Sequence, residues 1–106
     1  MRISQEDNVV TLINAFDTTP EQQQALVDQW IRFTDAVKDE PGFIAAALHK
    51  SKDGTRVINY AHWRSEADFQ NFVRRHGTDF AQFAKLASRI DPHTYEVVHL
   101  YERSGS

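Results

Sequence analysis

The chain has 106 residues, of which 41% are hydrophobic and 25% charged, and its formal net charge of −3 is spread without blocks of one sign. That length supports one core and a single domain, residues 1–106, with no room for a separate cofactor domain. The charge balance argues against nucleic acid as a partner, which would call for a basic stripe, and no apolar run is long enough to span a membrane.

Zero cysteines exclude disulfides, thiolate nucleophiles, iron–sulfur clusters and cysteine zinc sites. The start, Met1 to Asn8, is polar and has no signal-peptide core, so the expectation is a cytoplasmic protein. Residues 1–8 and 103–106 read as loose ends.

From Val9 to Phe16 the run VVTLINAF is rich in β-formers and predicts the first strand. Thr19 then suits a helix N-cap, Pro20 the first helical position and Gln22 the capping-box partner. Leu26, Trp30, Phe33 and Val37 follow at 4-3-4 spacing and form one apolar stripe on a helix that ends near Pro41-Gly42. Phe43 to Ser51 and Thr55 to Trp63 flank Lys52-Asp53-Gly54 as a β-hairpin. Ser65 caps a short helix through Asp68, with Phe69, Phe72 and Val73 turned inward and Gly77 closing its end. Arg74, Arg75 and His76 read as a solvated helix end favoured by the helix dipole, or as cations at a pocket mouth. A further helical stretch carries Phe80, Phe83, Ala84 and Ala87 and is broken by Asp91-Pro92, and Thr94 to Glu102 supplies the last strand. The order β-α-β-β-α-α-β fits a ferredoxin-like antiparallel sheet with its helices on one face.

Side-chain parity puts Val57, Asn59, Ala61 and Trp63 on one face of the third strand and Arg56, Ile58, Tyr60 and His62 on the other. The hairpin register decides what stands beside Asn59. A three-residue loop, Lys52 to Gly54 with Gly54 left-handed, pairs Ser51 with Thr55 and places His49, Ala45 and Ala47 on the Asn59 face. A two-residue Asp53-Gly54 turn sends His49 to the opposite side. The longer loop is the expectation, because Lys-Asp suits the right-handed turn positions and Gly the left-handed one. Small Ala45 and Ala47 then leave space for an apolar cavity with a few inward polar groups, the usual form of a small-molecule site. Ile44, Ala46 and Leu48 are left on the other face with Ile58 and Tyr60, a surface that calls for cover, most simply by a second copy of the chain.

The element order, the hairpin HKSKDGTRVINYAHW and the strand VTLINAF resemble the antibiotic biosynthesis monooxygenase family of dimeric ferredoxin-like α/β barrels, from Val9 to Glu102. Within it, the chain is most similar to small anthrone oxygenases of aromatic polyketide pathways, which oxidise a polycyclic phenol with O2 and without metal or flavin. The resemblance implies a homodimer, a polyketide-like aromatic substrate, O2 as co-substrate and no cofactor. Their strand asparagine and tryptophan, four residues apart, match Asn59 and Trp63. A first-strand asparagine matches Asn14 and a pocket histidine matches His49. A pocket tyrosine of some members is replaced here by Phe69.

The implied roles are hydrogen bonds from Asn59 and Asn14 to a developing enolate oxygen, proton transfer or orientation by His49, and stacking by Trp63. Phe69, Phe72 and Phe83, with Ala45 and Ala47, would line the substrate. Plainer readings stand beside these: Asn59 capping a bulge, Trp63 anchoring the core, His49 near solvent, and the phenylalanines serving as core. His93 and His99 lie six strand residues apart, roughly 20 Å, too far to share a metal. Two alternatives remain open: a haem-degrading relative with His76 as axial ligand, and a non-catalytic barrel binding a small aromatic.

Overall fold

The computed structural model describes residues 9–103; of the ends expected to be loose, 1–8 and 104–106 lie outside the described residues. Four strands, β1 (Val10–Asp17), β2 (Phe43–Lys50), β3 (Arg56–Trp63) and β4 (Arg89–Tyr95), form an antiparallel sheet in the order β2-β3-β1-β4. Helices α1 (Gln23–Val37) and α2 (Glu66–His76) and a 3-10 helix (Asp79–Lys85) cover one face, giving the ferredoxin-like arrangement.

The α1 stripe is as spaced: Leu26, Trp30, Phe33 and Val37 are buried. Leu26, Phe16, Val57 and Phe83 lose all their exposure, and fully burying a side chain of this class is worth about 1.5–3 kcal/mol. The helix starts later than its sequence cap, however. The Thr19 carbonyl accepts from the amides of Gln22 (3.0 Å) and Gln23 (2.8 Å), forming a tight entry turn, and the Thr19 hydroxyl contacts Gln22 Oε1 rather than a backbone amide. At α2 the predicted cap is present: Ser65 Oγ accepts from the Asp68 amide at 3.1 Å.

The C-terminal third differs from expectation. Helical structure ends at Lys85, and Asp91-Pro92, read as a helix breaker, lies inside β4. Two long-range bonds bring this segment to β1: the Ser88 amide donates to the Asp17 carbonyl at 2.8 Å and the Thr18 hydroxyl to the Leu86 carbonyl at 2.6 Å. β4 is an edge strand, where a proline that cannot donate is tolerated. The predicted strand Thr94–Glu102 therefore keeps only Thr94 and Tyr95, and Glu96 to Arg103 carry no regular structure.

The hairpin register also differs, by one residue. Leu48 stands opposite Asn59 and His49 opposite Ile58, so the loop has four residues, Lys52 to Thr55. The cause is Asp53, whose carboxylate accepts from the Thr55 amide (3.0 Å), the Thr55 hydroxyl (2.7 Å) and the Ser51 hydroxyl (2.7 Å). These three bonds hold its pKa down to about 2. They also take Thr55 out of the ladder, and Ser51 pairs instead with Arg56. Gly54 does adopt the left-handed conformation, φ 84°. From the helix layer, the buried Gln23 amide donates to the carbonyls of Ser51 and Arg56, both at 2.9 Å, and fixes the base of the loop.

A one-residue slip exchanges the faces of a strand. His49, Ala45 and Ala47 lie on the face away from the helices, and Ala46 and Leu48 turn toward them. Ile44 is the extra residue of a bulge between Phe43 and Ala45 and is 56% exposed.

Candidate active site

Between the sheet and the helices lies a cavity of about 520 Å³, within the range of about 300–1,000 Å³ typical of small-molecule sites. Its sheet wall consists of Leu12 and Asn14 on β1, Phe43 and Ala46 on β2, Asn59, Ala61 and Trp63 on β3, and Ile90 and Pro92 on β4. Trp30, Phe33, Thr34 and Val37 of α1 form the opposite wall, and Phe69, Phe72, Val73, Phe80, Ala81 and Ala84 close it.

Asn14 and Asn59 are the centre of the sheet wall. They face each other directly across β1 and β3, the two inner strands, and both are buried, 4% and 5% exposed. Opposed residues have Cβ atoms about 4.5–5.5 Å apart, yet neither amide hydrogen-bonds the other, and both Oδ1 atoms are buried without a partner among the described residues. A buried polar group usually has a partner, since leaving it without one costs about 1–3 kcal/mol. Two such acceptors side by side in an apolar cavity are positioned for a ligand's hydroxyl groups, and an amide that turns over presents its N–H groups to a ligand's oxygen instead.

Trp63, four residues beyond Asn59, stands over the same wall and is 3% exposed. Phe43 stacks on its indole at 5.3 Å and 19°, while Phe72 (4.9 Å) and Phe69 (5.7 Å) meet it at steeper angles. The ring is thus held rigid by three others before any ligand arrives.

The structure brings together Asn14, Asn59, Trp63, Phe69 and Phe72 of the residues singled out from the sequence. It does not bring in four others. His49, Ala45 and Ala47 lie on the outer face because of the hairpin register, and Phe83 is a core residue, fully buried against Trp30 at 4.8 Å and Phe33 at 5.7 Å rather than lining the cavity. The space attributed to Ala45 and Ala47 is provided by Ala46 and Ala61. Trp30 was legible only as stripe core, but it also lines the cavity, and its indole N–H is buried without an acceptor. An indole in a buried stripe needs a partner for its N–H, and that is the signal which marks it.

His76 lies behind this cavity, its ring 4.9 Å from Phe72. Both ring nitrogens are engaged by carboxylates, Nε2 with Glu40 at 2.7 Å and Nδ1 with Asp79 at 2.9 Å. Arg75 also binds Glu40, through Nε at 3.1 Å and through its second guanidinium contact. This cluster ties the α1–β2 connection to the end of α2 and the 3-10 helix. Neither nitrogen is free to serve as an axial ligand. Hydrogen bonds donated by the ring to the carboxylates of Glu40, then Asp79, raise the His76 pKa above its ordinary 6.5, and His76 and Arg75 in turn lower that of Glu40. A raised folded-state pKa contributes stability in full below the unfolded value and loses it as pH rises through the folded value. Thermal melts should therefore show Tm falling as pH is raised from about 6.5 through the folded-state value, and His76→Gln should flatten that part of the profile. An unchanged slope in the variant would assign it to other groups.

Among the described residues, no group of three or more His, Asp or Glu side chains is arranged to hold a metal ion, and no helix is long and apolar enough to cross a membrane.

The family model for antibiotic biosynthesis monooxygenases matches residues 9–86. The chain is 38% identical over 104 residues to tetracenomycin-F1 monooxygenase of Streptomyces glaucescens, covering 93% of this chain and 90% of that protein. It superimposes on a monooxygenase from the gene ActVA-Orf6 of Streptomyces coelicolor, solved with nanaomycin D, with a TM-score of 0.77 at 25% identity, over 90% of this chain and 92% of the other. An anthrone oxidase-like protein gives a TM-score of 0.83 at 28% identity, over 92% of this chain and 42% of that one.

Proposed function

The chain belongs to the antibiotic biosynthesis monooxygenase family, and from that premise we propose that it uses O2, without metal or flavin, to oxidise a polycyclic aromatic phenol or anthrone to a quinone in aromatic polyketide biosynthesis. The observation that carries this reading is the cross-strand pair Asn14 and Asn59, each with its Oδ1 unpartnered among the described residues, in a cavity lined by aromatic rings beside Trp63. The relatives named for tetracenomycin F1 and solved with nanaomycin D support a polycyclic substrate.

An electron-rich enolate can give one electron to O2; the radical pair recombines to a peroxide, which collapses to the carbonyl, so the substrate supplies the electrons a cofactor otherwise would. The protein's part is to hold the rings, exclude water and donate hydrogen bonds from Asn14 and Asn59 where charge develops on oxygen. Trp63, braced by Phe43, fixes the ring plane. Pure protein in aerated buffer is expected to consume O2 in proportion to a tricyclic or tetracyclic anthrone and to form the quinone, with chelator making no difference. Anthrone oxidation at the background rate would refute the reading. The cytoplasm is the compartment in which this chemistry is proposed to occur.

A homodimer is part of the same proposal. The outer face of the sheet carries Ile13, Ala15, Ala45, Ala47, Ile58 and Tyr60, an apolar surface for one exposed side of an antiparallel sheet. Light scattering at micromolar protein should return twice the chain mass of 12.2 kDa; a stable monomer would overturn it.

A further inference from the structure

The cavity is enclosed on most sides and open where its lining is smallest. Among the described residues, its exposed lining positions are Gly77, Ala81, Ala84 and Pro92 on the β4 side and Ala46 on β2, the opposite edge of the sheet. The 3-10 helix accounts for the small side chains. The Ala81 amide donates to the Thr78 carbonyl at 3.4 Å and the Leu86 amide to that of Phe83 at 3.0 Å, and with about three residues per turn, side chains three apart stand in line. One such line is Phe80 and Phe83, turned to Trp30 and Phe33. A second, Gln82 and Lys85, is exposed. The third is Ala81 and Ala84, and it borders the cavity where the cavity meets solvent.

The sheet fixes this opening relative to the asparagines. Pro92 stands opposite Asn14, which stands opposite Asn59, so the three form one row across β4, β1 and β3. At the other end of the row Leu48 faces Asn59 and packs against the core. Neighbouring strands are about 4.8 Å apart, so a flat molecule held at the asparagines and lying along the row reaches the β4 edge within about two fused rings. Resting on the monooxygenase reading above, we propose that Ala81 and Ala84 determine specificity for substrate length: the reacting end is enclosed between the sheet and α1, and the far end passes out between these alanines and Pro92. The substrate class is then a linear tetracyclic anthrone, or a tricyclic one extended by a substituent at the end remote from the reacting carbon. A polar group at that far end keeps its water, whereas the same group deep in the cavity would have to be desolvated.

The test compares a tricyclic with a linear tetracyclic anthrone on the wild type, Ala81→Leu and Ala84→Leu by O2 uptake. The ratio of kcat/KM, tetracyclic over tricyclic, is expected to fall by about 10-fold or more in each variant, since a methylene's difference in an apolar site discriminates by about 10–200-fold. The loss should lie in KM, because the far ring takes no part in the charge that develops at the reacting carbon. Measuring both substrates on one preparation cancels any loss of folded protein. Ala84→Ser, close to alanine in size, should keep the wild-type ratio. An unchanged ratio in both leucine variants overturns the proposal, and so does a ratio that moves in Ala46→Leu instead, which would put the exit at the β2 edge. Binding of the two corresponding quinones, followed by quenching of tryptophan fluorescence, makes the same comparison without turnover. In Ala84→Leu the Kd of the tetracyclic quinone is expected to rise by about 10-fold or more relative to the tricyclic one. Size-selective quinone binding with anthrone oxidation at the background rate would overturn the monooxygenase reading alone, quinone binding indifferent to both leucines would overturn length selection alone, and a wild type that binds neither quinone would overturn both.

Discussion

Asn59→Ala is expected to slow O2-dependent anthrone oxidation by about 10²-fold to 10³-fold, the usual loss when one preorganised donor to a developing oxyanion is removed. The geometry makes the effect steep. Asn59 is buried beside Asn14, its Oδ1 without a partner among the described residues, so its amide gives up no bond there when it turns to a ligand. Because its Oδ1 is unsatisfied in the free protein, removing the amide relieves a cost, and Tm should hold steady or rise slightly. An oxygen electrode and a melting curve on the same preparation check both halves. Turnover within threefold or so of wild type would remove Asn59 from the chemistry, since one lost donor is worth far more than that.

Phe83→Ala should act in the opposite way, lowering stability by about 3–5 kcal/mol, the range for truncating a buried phenylalanine. Its ring is fully buried between Trp30 and Phe33 and lines no part of the cavity. Urea unfolding should show the midpoint collapse with an unchanged m-value, while the folded fraction keeps a near-normal KM. A selective rise in KM at unchanged stability would return Phe83 to the substrate wall.

The parts legible from the sequence are those set by local period and local chemistry. The 4-3-4 stripe of α1, the parity that joins Asn59 to Trp63, and the Ser65–Asp68 cap each need only neighbours within a few residues. What misled depends on distant partners. Pro92 signals a break to a local reader, and only pairing with β1, about eighty residues earlier in the chain, makes it an edge-strand residue. His49 was misplaced because Asp53 can be read as an ordinary turn residue, while its bonds to Thr55 and Ser51 lengthen the loop by one. Phe83 and Trp30 share one aromatic cluster, and no periodicity tells which ring of a cluster borders a void.

The contact from Gln23 to the hairpin bears on how this fold could be rebuilt. One amide from α1 clamps both strands at the mouth of the turn, so the hairpin is not a portable unit. Grafted into a related scaffold without a glutamine at that helix position, the same residues from Phe43 to Trp63 would keep their turn chemistry but lose the tether that holds their alignment. Any chimera that recombines the first half of this chain with the second half of a relative therefore has Gln23 and the Ser51–Arg56 loop as a linked pair to be inherited together.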